Sequence, residues 1–423
     1  MNKMPKNVYL ESNGCAVIRH DTQRYAKYFR LNGWDEVDNV GDADLVLYTT
    51  CGVIDLTEEF ALEAIDRIKG ELRDGSKLIV GGCLPKINPE RLIGVFDGVS
   101  FGPTEEVRLD DLIGANVSIN DVFWDGEIVR EHSMGDPELA YSPEELEELE
   151  VVDYLSGVFK DRGFLEIYNY LTKGRFFWQE DGLFEVKVGD GCMYNCAYCG
   201  TKNAKGNLVS RDPGKIIEEF KFGVERGFPK ILLTGDEVGE YGRDRGSSLV
   251  ELLRALIPES RDSRIALRYV SPSSLVRQYN DLAPLFDSGN VYYFCSSIQS
   301  GSPDVLKLMR RPKDIGSFLD LVAKIDVNFP GVYKHTQVIV GFPQETEEDF
   351  KMTMEAMERS GFDYFSVIRY SRRPNTLADG MDGHLDPEVI EERFQRAKSL
   401  ASEIRSRKLR KRIFDKFVLT FKD

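Results

Sequence analysis

Three cysteines lie within eight residues of one another in the pattern C-x3-C-x2-C, at Cys192, Cys196 and Cys199. Three thiolates this close suit one face of a 4Fe–4S cluster, and the fourth iron is then open to a substrate or cofactor. A structural zinc site is the alternative interpretation, but it normally requires a fourth Cys or His nearby, and none follows before Cys295. The pattern therefore predicts a cluster with one open iron, with Tyr198 directly before its last cysteine.

Three further cysteines each follow a short apolar segment that is typical of a buried strand. They are Cys15, Cys51 and Cys83, and the segments are Val8–Leu10, Leu45–Tyr48 and Leu78–Val80. If the strands are parallel, their carboxyl ends share one edge of a sheet, where ligands bind, so the three thiols should converge. Small residues precede the cysteines at Gly14, Thr50 and Gly82. The alternative is three core cysteines, which should lie within strands or on helix faces.

The segment that must position these first three cysteines, residues 1–115, alternates between strand and helix patterns. One helix is predicted to begin at Asp55, with Glu58 as the partner in an N-cap pair, and to end at Gly70. Alternation of this kind predicts a parallel sheet with right-handed crossovers. We therefore expect an N-terminal Rossmann-like parallel α/β domain.

A second alternating region, residues 181–395, contains six predicted strands. They are Phe184–Val188, Ile231–Thr234, Leu267–Val270, Tyr292–Ile298, His335–Val340 and Tyr364–Tyr370. Six βα-type strands predict a partial (β/α)6 barrel, whose chemistry belongs to the loops at the carboxyl ends of the strands. Cys295 lies inside an apolar run of this region and is predicted to be a packed core thiol.

The loops after these strands hold polar and glycine-rich pieces. Asp236 and Glu237 are candidate acceptors for a cationic amine, and Arg268 is a candidate partner for a carboxylate. Gly341 would let a purine lie against the backbone. Gly235 and Gln299 are expected on the same edge. A glycine after a strand is usually only a turn, so the shared placement of these residues is the stronger signal.

The charge and composition exclude several classes of protein. The chain has 423 residues and a formal net charge of −16, which argues weakly against a protein that binds nucleic acid over its whole surface. No apolar run approaches the ~18 residues that would span a bilayer, and the N-terminus resembles no secretory signal. The cysteines are therefore expected as thiols or metal ligands in a reducing, cytoplasmic compartment.

Taken together, these segments resemble the radical S-adenosylmethionine (SAM) methylthiotransferases, which modify tRNA adenosines or a ribosomal-protein aspartate. The resemblance covers most of residues 1–410. It rests on GC at 14–15 with Asp21-Thr22 after it, TC at 50–51, GC at 82–83, GC-x3-C-x2-C at 191–199, Ser210-Arg211, LTGDEVGEYG at 233–242, QSGS at 299–302, VIVGFPQET at 338–346 and YSRRPNT at 370–376.

The resemblance implies two 4Fe–4S clusters and SAM as cofactors. Cys15, Cys51 and Cys83 would hold an auxiliary cluster, and Cys192, Cys196 and Cys199 the SAM cluster. Cleavage of SAM would yield a 5′-deoxyadenosyl radical that removes hydrogen from an unactivated carbon, and a second SAM would methylate the sulfur delivered there. The SAM pocket would include Tyr198, Gly235, Glu237, Arg268, Gln299 and Gly341. A low-potential electron donor of the flavodoxin or ferredoxin type would supply electrons.

The sequence departs from the family pattern at several positions. Ile18 and Thr49 replace usual asparagines, Lys205-Gly206 replaces Arg-Gly, and Asn375 replaces a glycine. Family members usually close with an RNA-binding TRAM module, whereas this sequence stops at KFVLTFKD, where that module would begin. These departures concern substrate contacts more than cluster ligation.

Two stretches carry opposite charge. Residues 126–153 contain ten acidic residues and one basic residue, and are interpreted either as a solvated helix face or as a docking surface for a basic partner. Residues 405–416 contain seven basic residues and one acidic residue. That basic end is predicted to contact RNA phosphates, to complement its own helix dipole or to pair with the acidic stretch.

We therefore expect four segments: a cluster-binding domain at 1–115, an acidic insertion at 116–180, a radical SAM barrel at 181–395 and a basic tail at 396–423. The predicted reaction converts an unactivated C–H to C–SCH3. A peptide, protein side chain or small molecule is preferred as substrate over tRNA, and no membrane partner is expected. The alternatives are a tRNA adenosine methylthiotransferase and a radical SAM enzyme whose auxiliary cluster serves sulfur insertion or electron transfer without methyl transfer.

Overall fold

The computed structural model describes residues 6–122 and 183–420. The chain divides into two compact units. The described parts of the first unit are residues 6–122, 184–263 and 371–381, and those of the second are residue 183 and residues 264–370 and 382–420. The acidic stretch 126–153 lies outside the described residues. None of the described helices is long and apolar enough to cross a membrane.

A five-stranded sheet forms the N-terminal part of the first unit. Its strands are β1 (Lys6–Ser12), β2 (Trp34–Glu36), β3 (Leu45–Thr50), β4 (Lys77–Gly82) and β5 (Val99–Ser100). They are ordered β2-β1-β3-β4-β5, and every neighbouring pair is parallel. This confirms the predicted Rossmann-like α/β domain and adds β2 and β5, which are too short to give a clear pattern in the sequence.

Helices cover both faces of this sheet, because successive side chains of a strand point to opposite faces. The helices are α1 (Ala16–Leu31), α2 (Asp55–Glu71), α3 (Leu84–Ile87), α4 (Pro89–Ile93) and α5 (Arg108–Ile113). On β3, Leu45 and Leu47 belong to the core cluster that includes side chains of α1. Val46 and Tyr48 belong to the cluster that includes side chains of α2.

The predicted N-cap pair of α2 is wrong. Asp55 is the first helical residue rather than the cap, which is Ile54. Thr57 closes the first turn instead, because its hydroxyl donates to the Ile54 carbonyl at 2.9 Å. The carboxylate of Glu58 is fully buried and ion-paired elsewhere in the unit.

The remainder of the first unit carries the C-x3-C-x2-C loop. Its strands are β6 (Leu183–Lys187), β7 (Gly189–Asp190), β8 (Val209–Ser210) and β9 (Lys230–Thr234), and its helices are α6 (Gly200–Lys205), α7 (Pro213–Glu225) and α8 (Leu249–Leu256). β7 and β8 pair antiparallel and close the base of the cysteine loop.

The second unit contains four parallel strands in chain order, β10 (Arg264–Leu267), β11 (Val291–Cys295), β12 (Tyr333–Val340) and β13 (Tyr364–Arg369). Its helices are α9 (Pro272–Asp287), α10 (Pro303–Leu308), α11 (Ile315–Asn328), α12 (Glu347–Arg359) and α13 (Pro387–Thr420). With β6 and β9 these make the six strands predicted for the barrel region. β10 ends earlier than predicted, so Arg268 follows the strand instead of lying within it.

Candidate active site

The first cysteine trio stands at the carboxyl ends of three adjacent strands, as predicted. Cys51 and Cys83 directly follow β3 and β4, and Cys15 caps the N-terminus of α1. The Cys83 amide donates to the Thr50 carbonyl at 2.9 Å, and the Cys51 amide donates to Asn13 Oδ1 at 2.9 Å. These two hydrogen bonds, one to a backbone carbonyl and one to a side-chain amide oxygen, fix the loops that carry Cys83 and Cys51.

Gly82 explains how the β3 and β4 ends approach so closely. Its φ of +94° is a conformation that L side chains rarely adopt, and a Cβ built there would lie 2.4 Å from the Thr50 carbonyl oxygen. Only glycine fits this position. The small residue before Cys83 is therefore required by the neighbouring backbone as well as by any ligand.

The three thiols of the first trio interact electrostatically. Burial raises the pKa of the Cys83 thiol well above its usual value, the Lys205 ammonium opposes this rise, and the Cys51 and Cys15 thiolates add to it. Thiols with raised pKa values hold their protons in the metal-free protein. Binding of iron to them must therefore release protons.

The second trio occupies the loop between β7 and α6, and Cys199 is the N-cap residue of α6. Burial raises the pKa of Cys192 to about 12, and the nearby carboxylate of Glu237 and the thiolates of Cys199 and Cys196 raise it further. The pKa of Cys199 is raised to about 11, mainly by burial and next by the neighbouring Cys196 thiolate. The three thiols of this loop are therefore also neighbours.

Neither trio has the geometry of a site for a single metal ion. Within residues 6–122 and 183–420, no group of three or more His, Cys, Asp or Glu side chains is arranged to hold one ion. A 4Fe–4S cluster has a different requirement, because each cysteine binds a different iron and the thiols stand apart around the cluster. Two sets of three neighbouring thiols fit that requirement.

The loops of the two trios pack together inside the first unit. Ile18, Cys83, Ile87 and Ala204 form one buried apolar cluster, with Cys15 packed against it. Ala204 lies on α6, directly after the second trio, and Ile87 lies on α3, directly after Cys83. The sequence predicted each trio separately but carried no signal that α3 and α6 pack against each other.

A chain of buried ion pairs runs beside these loops. The Lys205 ammonium lies 3.3 Å from both Asp190 Oδ1 and Asp236 Oδ2. Lys187 Nζ lies 2.8 Å from Asp190 Oδ2 and 2.7 Å from Asp21 Oδ1. Lys205 is 4% exposed and lies at the position where the family pattern has arginine, so the departure keeps the positive charge.

The six predicted SAM-pocket residues divide between the two units. Tyr198, Gly235 and Glu237 lie in the first unit, in the cysteine loop and directly after β9. Glu237 is buried, and its carboxylate acts electrostatically on Cys192. Arg268, Gln299 and Gly341 lie in the second unit, each after the end of a strand.

Gln299 shows a feature of a ligand-binding residue. It has a φ of +66°, uncommon for a residue other than glycine, and its side-chain Oε1 is buried with no hydrogen-bond partner among the described residues. A buried unsatisfied acceptor is costly and calls for a polar partner. The amine or hydroxyl donors of SAM are of the right chemistry for it.

Gly341 is required by packing in the second unit. Its φ is +80°, and a Cβ would lie 2.6 Å from Ile390 Cγ1 of α13. Its amide donates to Glu345 Oε2 at 2.9 Å. Arg268 is buried, and its Nη2 donates to the Tyr269 hydroxyl at 2.8 Å.

Asn375, a departure from the family glycine, is accommodated by the backbone. Its φ is +62°, in the left-handed region. Asparagine tolerates this region better than most residues other than glycine. The substitution therefore preserves the turn, and its carbonyl accepts from Asn203 Nδ2 at 3.2 Å.

The basic end of the chain is partly neutralised within the second unit. Arg407 Nη2 lies 2.7 Å from Glu358 Oε2, and the Lys408 ammonium lies 2.5 Å from Asp326 Oδ2 and 2.9 Å from the Gly361 carbonyl. These partners belong to the barrel region. Pairing with the acidic stretch 126–153, one of the predicted alternatives, lies outside the described residues.

A buried histidine predicts a specific pH dependence of stability. His20 is buried, which favours the neutral ring, but Glu219 Oε1 lies 2.6 Å from Nε2, and the carboxylates of Glu219 and Asp21 raise the His20 pKa above its usual value. The charged ring therefore stabilises the fold fully below about pH 6.5, and this stabilisation is lost as pH rises through the raised pKa.

The free energy of unfolding of the metal-free protein, measured in urea, should consequently fall as pH rises above about 6.5. In His20→Gln the part of the fall that comes from this group should disappear. An identical pH profile in the variant and the unmodified protein would show that His20 carries no such linkage.

Two family models match separate parts of the chain. The Radical SAM superfamily model matches residues 186–357, and the model described as Uncharacterized protein family UPF0004 matches residues 7–101. A tRNA-2-methylthio-N(6)-dimethylallyladenosine synthase from Akkermansia muciniphila is 30% identical over an alignment of 424 positions, which covers 96% of this chain and 86% of that protein. The chain belongs to the radical SAM methylthiotransferase family.

Other relatives of the enzyme have different substrates in their names. A Probable threonylcarbamoyladenosine tRNA methylthiotransferase from Pyrococcus horikoshii is 28% identical, over 88% of this chain and 78% of that protein. A Ribosomal protein uS12 methylthiotransferase RimO from Vibrio vulnificus is 29% identical, over 95% of this chain and 78% of that protein. The family therefore establishes an enzyme that transfers a sulfur-containing group and uses SAM and two 4Fe–4S clusters.

The fold has counterparts among solved radical SAM enzymes. The methyltransferase TsrM from Kitasatospora setae matches with a TM-score of 0.59 and 13% identity, over 89% of this chain and 74% of that chain. This similarity concerns the fold alone. It agrees with the predicted parallel α/β architecture of both regions.

Proposed function

We propose that the enzyme replaces an unactivated C–H of its substrate by C–SCH3, with each cysteine trio holding one of the two clusters. The observation that carries this proposal is the packing of the two trio-bearing loops in one compact unit, through Ile87 and Ala204. Sulfur delivery from one cluster to a carbon activated at the other requires the two to be neighbours. An electron-transfer role for the auxiliary cluster would tolerate a larger separation.

Cys15, Cys51 and Cys83 are assigned to the auxiliary cluster, and Cys192, Cys196 and Cys199 to the SAM cluster. When bound, the clusters and SAM supply reductive cleavage of SAM and the sulfur that is transferred. The protein's own contributions are burial of the thiols and exclusion of water. The Lys205 ammonium beside Cys83 and Asp236 balances negative charge in this part of the unit.

The second assignment concerns the SAM pocket. We assign Tyr198, Gly235, Glu237, Arg268, Gln299 and Gly341 to SAM binding. The buried carboxylate of Glu237 suits the SAM amine, the Arg268 guanidinium suits its carboxylate, and the unsatisfied Gln299 Oε1 supports a polar ligand at that loop.

For the substrate, we propose a tRNA adenosine. The relatives from Akkermansia muciniphila and Pyrococcus horikoshii are named for tRNA adenosines. The expected preference for a peptide or small molecule has no support among these names. A ribosomal-protein side chain is the second candidate, and the relative from Vibrio vulnificus favours it. The electron donor and the cytoplasmic location stay predictions.

Product analysis tests the reaction. With intact clusters, a reductant and its true substrate, the enzyme should yield both 5′-deoxyadenosine and S-adenosylhomocysteine, because one SAM is cleaved and another donates a methyl group. Formation of 5′-deoxyadenosine and modified product without S-adenosylhomocysteine would overturn methylthiolation and favour sulfur insertion.

Nucleoside analysis tests the substrate. Bulk tRNA from cells with and without the protein should differ by a methylthiolated adenosine in mass spectrometry. If the nucleoside profiles are identical, tRNA is not the substrate, and the same comparison on ribosomal proteins then decides the second candidate through a mass increase on one side chain.

A further inference from the structure

Arg373 is a buried guanidinium that the reaction scheme above does not use. It lies in the stretch 371–381, which belongs to the first unit although it follows β13 in the chain. Its side chain is only 2% exposed. A cation buried this deeply needs hydrogen-bond acceptors on several sides, and most of those of Arg373 come from the segment after Cys51.

One side of Arg373 holds the loop that follows Cys51. Its Nη1 donates to the Gly52 carbonyl at 3.3 Å and to Glu58 Oε2 at 2.6 Å. Its Nη2 pairs with Asp55 at the start of α2 and donates to Ser371 Oγ at 3.1 Å. Glu58 itself is fixed by Arg91 and Asn88, which follow Cys83, at 2.8 Å and 3.0 Å. The guanidinium therefore engages the two auxiliary cysteine loops through one carboxylate.

The other side of Arg373 meets the SAM-cluster loop. A Cβ built on Gly200, the residue after Cys199, would lie 3.4 Å from Arg373 Cγ. Further along the same stretch, the Ala378 amide donates to the carbonyl of Ala197, the residue after Cys196, at 2.8 Å. Residues 371–381 thus touch both cysteine loops within one compact unit.

We propose that Arg373 is a positioning residue that fixes the separation between the Cys51 loop and the Cys199 loop, and so the alignment of the two clusters for sulfur delivery. A guanidinium suits this task because its planar fork of donors reaches several acceptors at once, whereas a lysine offers one point of charge. The inference rests on the proposed assignment of the two trios.

The test compares the reconstituted full-length enzyme with Arg373→Met, Arg373→Lys and the neighbouring control Arg372→Met. Arg372 is exposed and pairs with Asp379, so its removal leaves the contacts of Arg373 in place. Three quantities are measured: iron per chain, the magnetic interaction between the two reduced clusters by electron paramagnetic resonance, and the ratio of 5′-deoxyadenosine to methylthiolated product.

Arg373→Met should keep the iron of both clusters but change their magnetic interaction and raise the ratio of 5′-deoxyadenosine to product by about 10- to 100-fold, the effect expected of a misplacement near 1 Å. Arg373→Lys should recover part of the loss, and Arg372→Met should match the unmodified enzyme. An unchanged interaction and ratio in Arg373→Met would overturn the proposal.

Glu58→Gln provides a second route if Arg373→Met loses iron. This substitution removes the shared carboxylate charge and retains the size of the side chain. It should therefore shift the magnetic interaction between the clusters in the same direction as Arg373→Met. A Glu58→Gln enzyme with full iron content and no such shift would overturn the positioning role. Failure of the proposed function is seen separately. In that case the unmodified enzyme itself shows one cluster or produces no S-adenosylhomocysteine.

Discussion

Replacing Cys15, Cys51 and Cys83 together by Ala is expected to lower the iron content from about eight to about four per chain and to abolish methylthiolation, while SAM cleavage persists. The reason is that the two trios sit in separate loops with separate backbone hydrogen bonds, from the Cys83 amide to the Thr50 carbonyl and from the Cys192 amide to the Gly206 carbonyl. Loss of one set of thiols leaves the other able to bind its cluster. Iron analysis and quantification of 5′-deoxyadenosine and product measure this outcome.

Two controls sharpen the experiment. Replacing Cys192, Cys196 and Cys199 should also remove about half of the iron, but should abolish 5′-deoxyadenosine formation as well. Cys295→Ala should change neither quantity, because Cys295 lies in β11, is 1% exposed and belongs to the core. An unchanged iron content in the first triple variant would mean that those thiols bind no cluster.

Lys187→Met is expected to destabilise the first unit by about 3–5 kcal/mol, the cost of leaving a buried charge without its partner. The Lys187 and Asp21 side chains are 6% and 3% exposed, and their charged atoms are 2.7 Å apart. Burial alone would raise the Asp21 pKa, but the Lys187 ammonium, together with His20, Arg24 and Lys205, outweighs it and holds that pKa far below the usual value. Urea unfolding at neutral pH measures the loss.

The Lys187–Asp21 ion pair also predicts how the stability of the fold decreases at acid pH. Because the pKa of Asp21 is lower in the folded state, its contribution is present above the ordinary value near 4 and is lost as pH falls below it. In Lys187→Met that part of the acid dependence should disappear. The double variant Lys187→Met with Asp21→Asn should regain part of the lost stability, since no unpaired carboxylate remains.

Arg19→Met is the matched control for this experiment. Arg19 also lies on α1 and pairs with Glu185 of β6 at 3.0 Å, but the two side chains are 16% and 12% exposed. Water screens this pair more, so its loss should cost clearly less than that of Lys187. Equal losses in the two variants would show that burial does not determine the strength of these bridges.

The sequence predicted the strands and the meeting of Cys15, Cys51 and Cys83 because both follow from local patterns. Apolar runs mark strands, and parallel strands bring their carboxyl ends to one edge. The interpretation of Glu58 as a capping residue is wrong because the contacts of Glu58 are not local in the sequence. Its partner Arg373 is more than three hundred residues away, and spacing within one helix carries no information about such a partner.

The same limit applies to the site itself. The six cysteines of the two trios have a recognisable type and spacing, whereas the ion pairs of Lys187 and Lys205 depend on which buried surfaces meet. An apolar pattern predicts that a strand exists better than it predicts where the strand ends. The pattern that continues beyond Leu267 predicts Arg268 inside β10, but the parallel pairing of β10 with β11 stops at Leu267.

The first unit consists of three separate stretches of the chain, and this arrangement has a consequence for biosynthesis. The last stretch, 371–381, is made about 330 residues after Cys51, roughly 15–65 s later at typical elongation rates. Until it leaves the ribosome, the carboxylates of Asp55 and Glu58 lack the guanidinium of Arg373, although Glu58 can already pair with Arg91. Completion of the first unit therefore depends on a segment that is synthesised long after both sets of thiols.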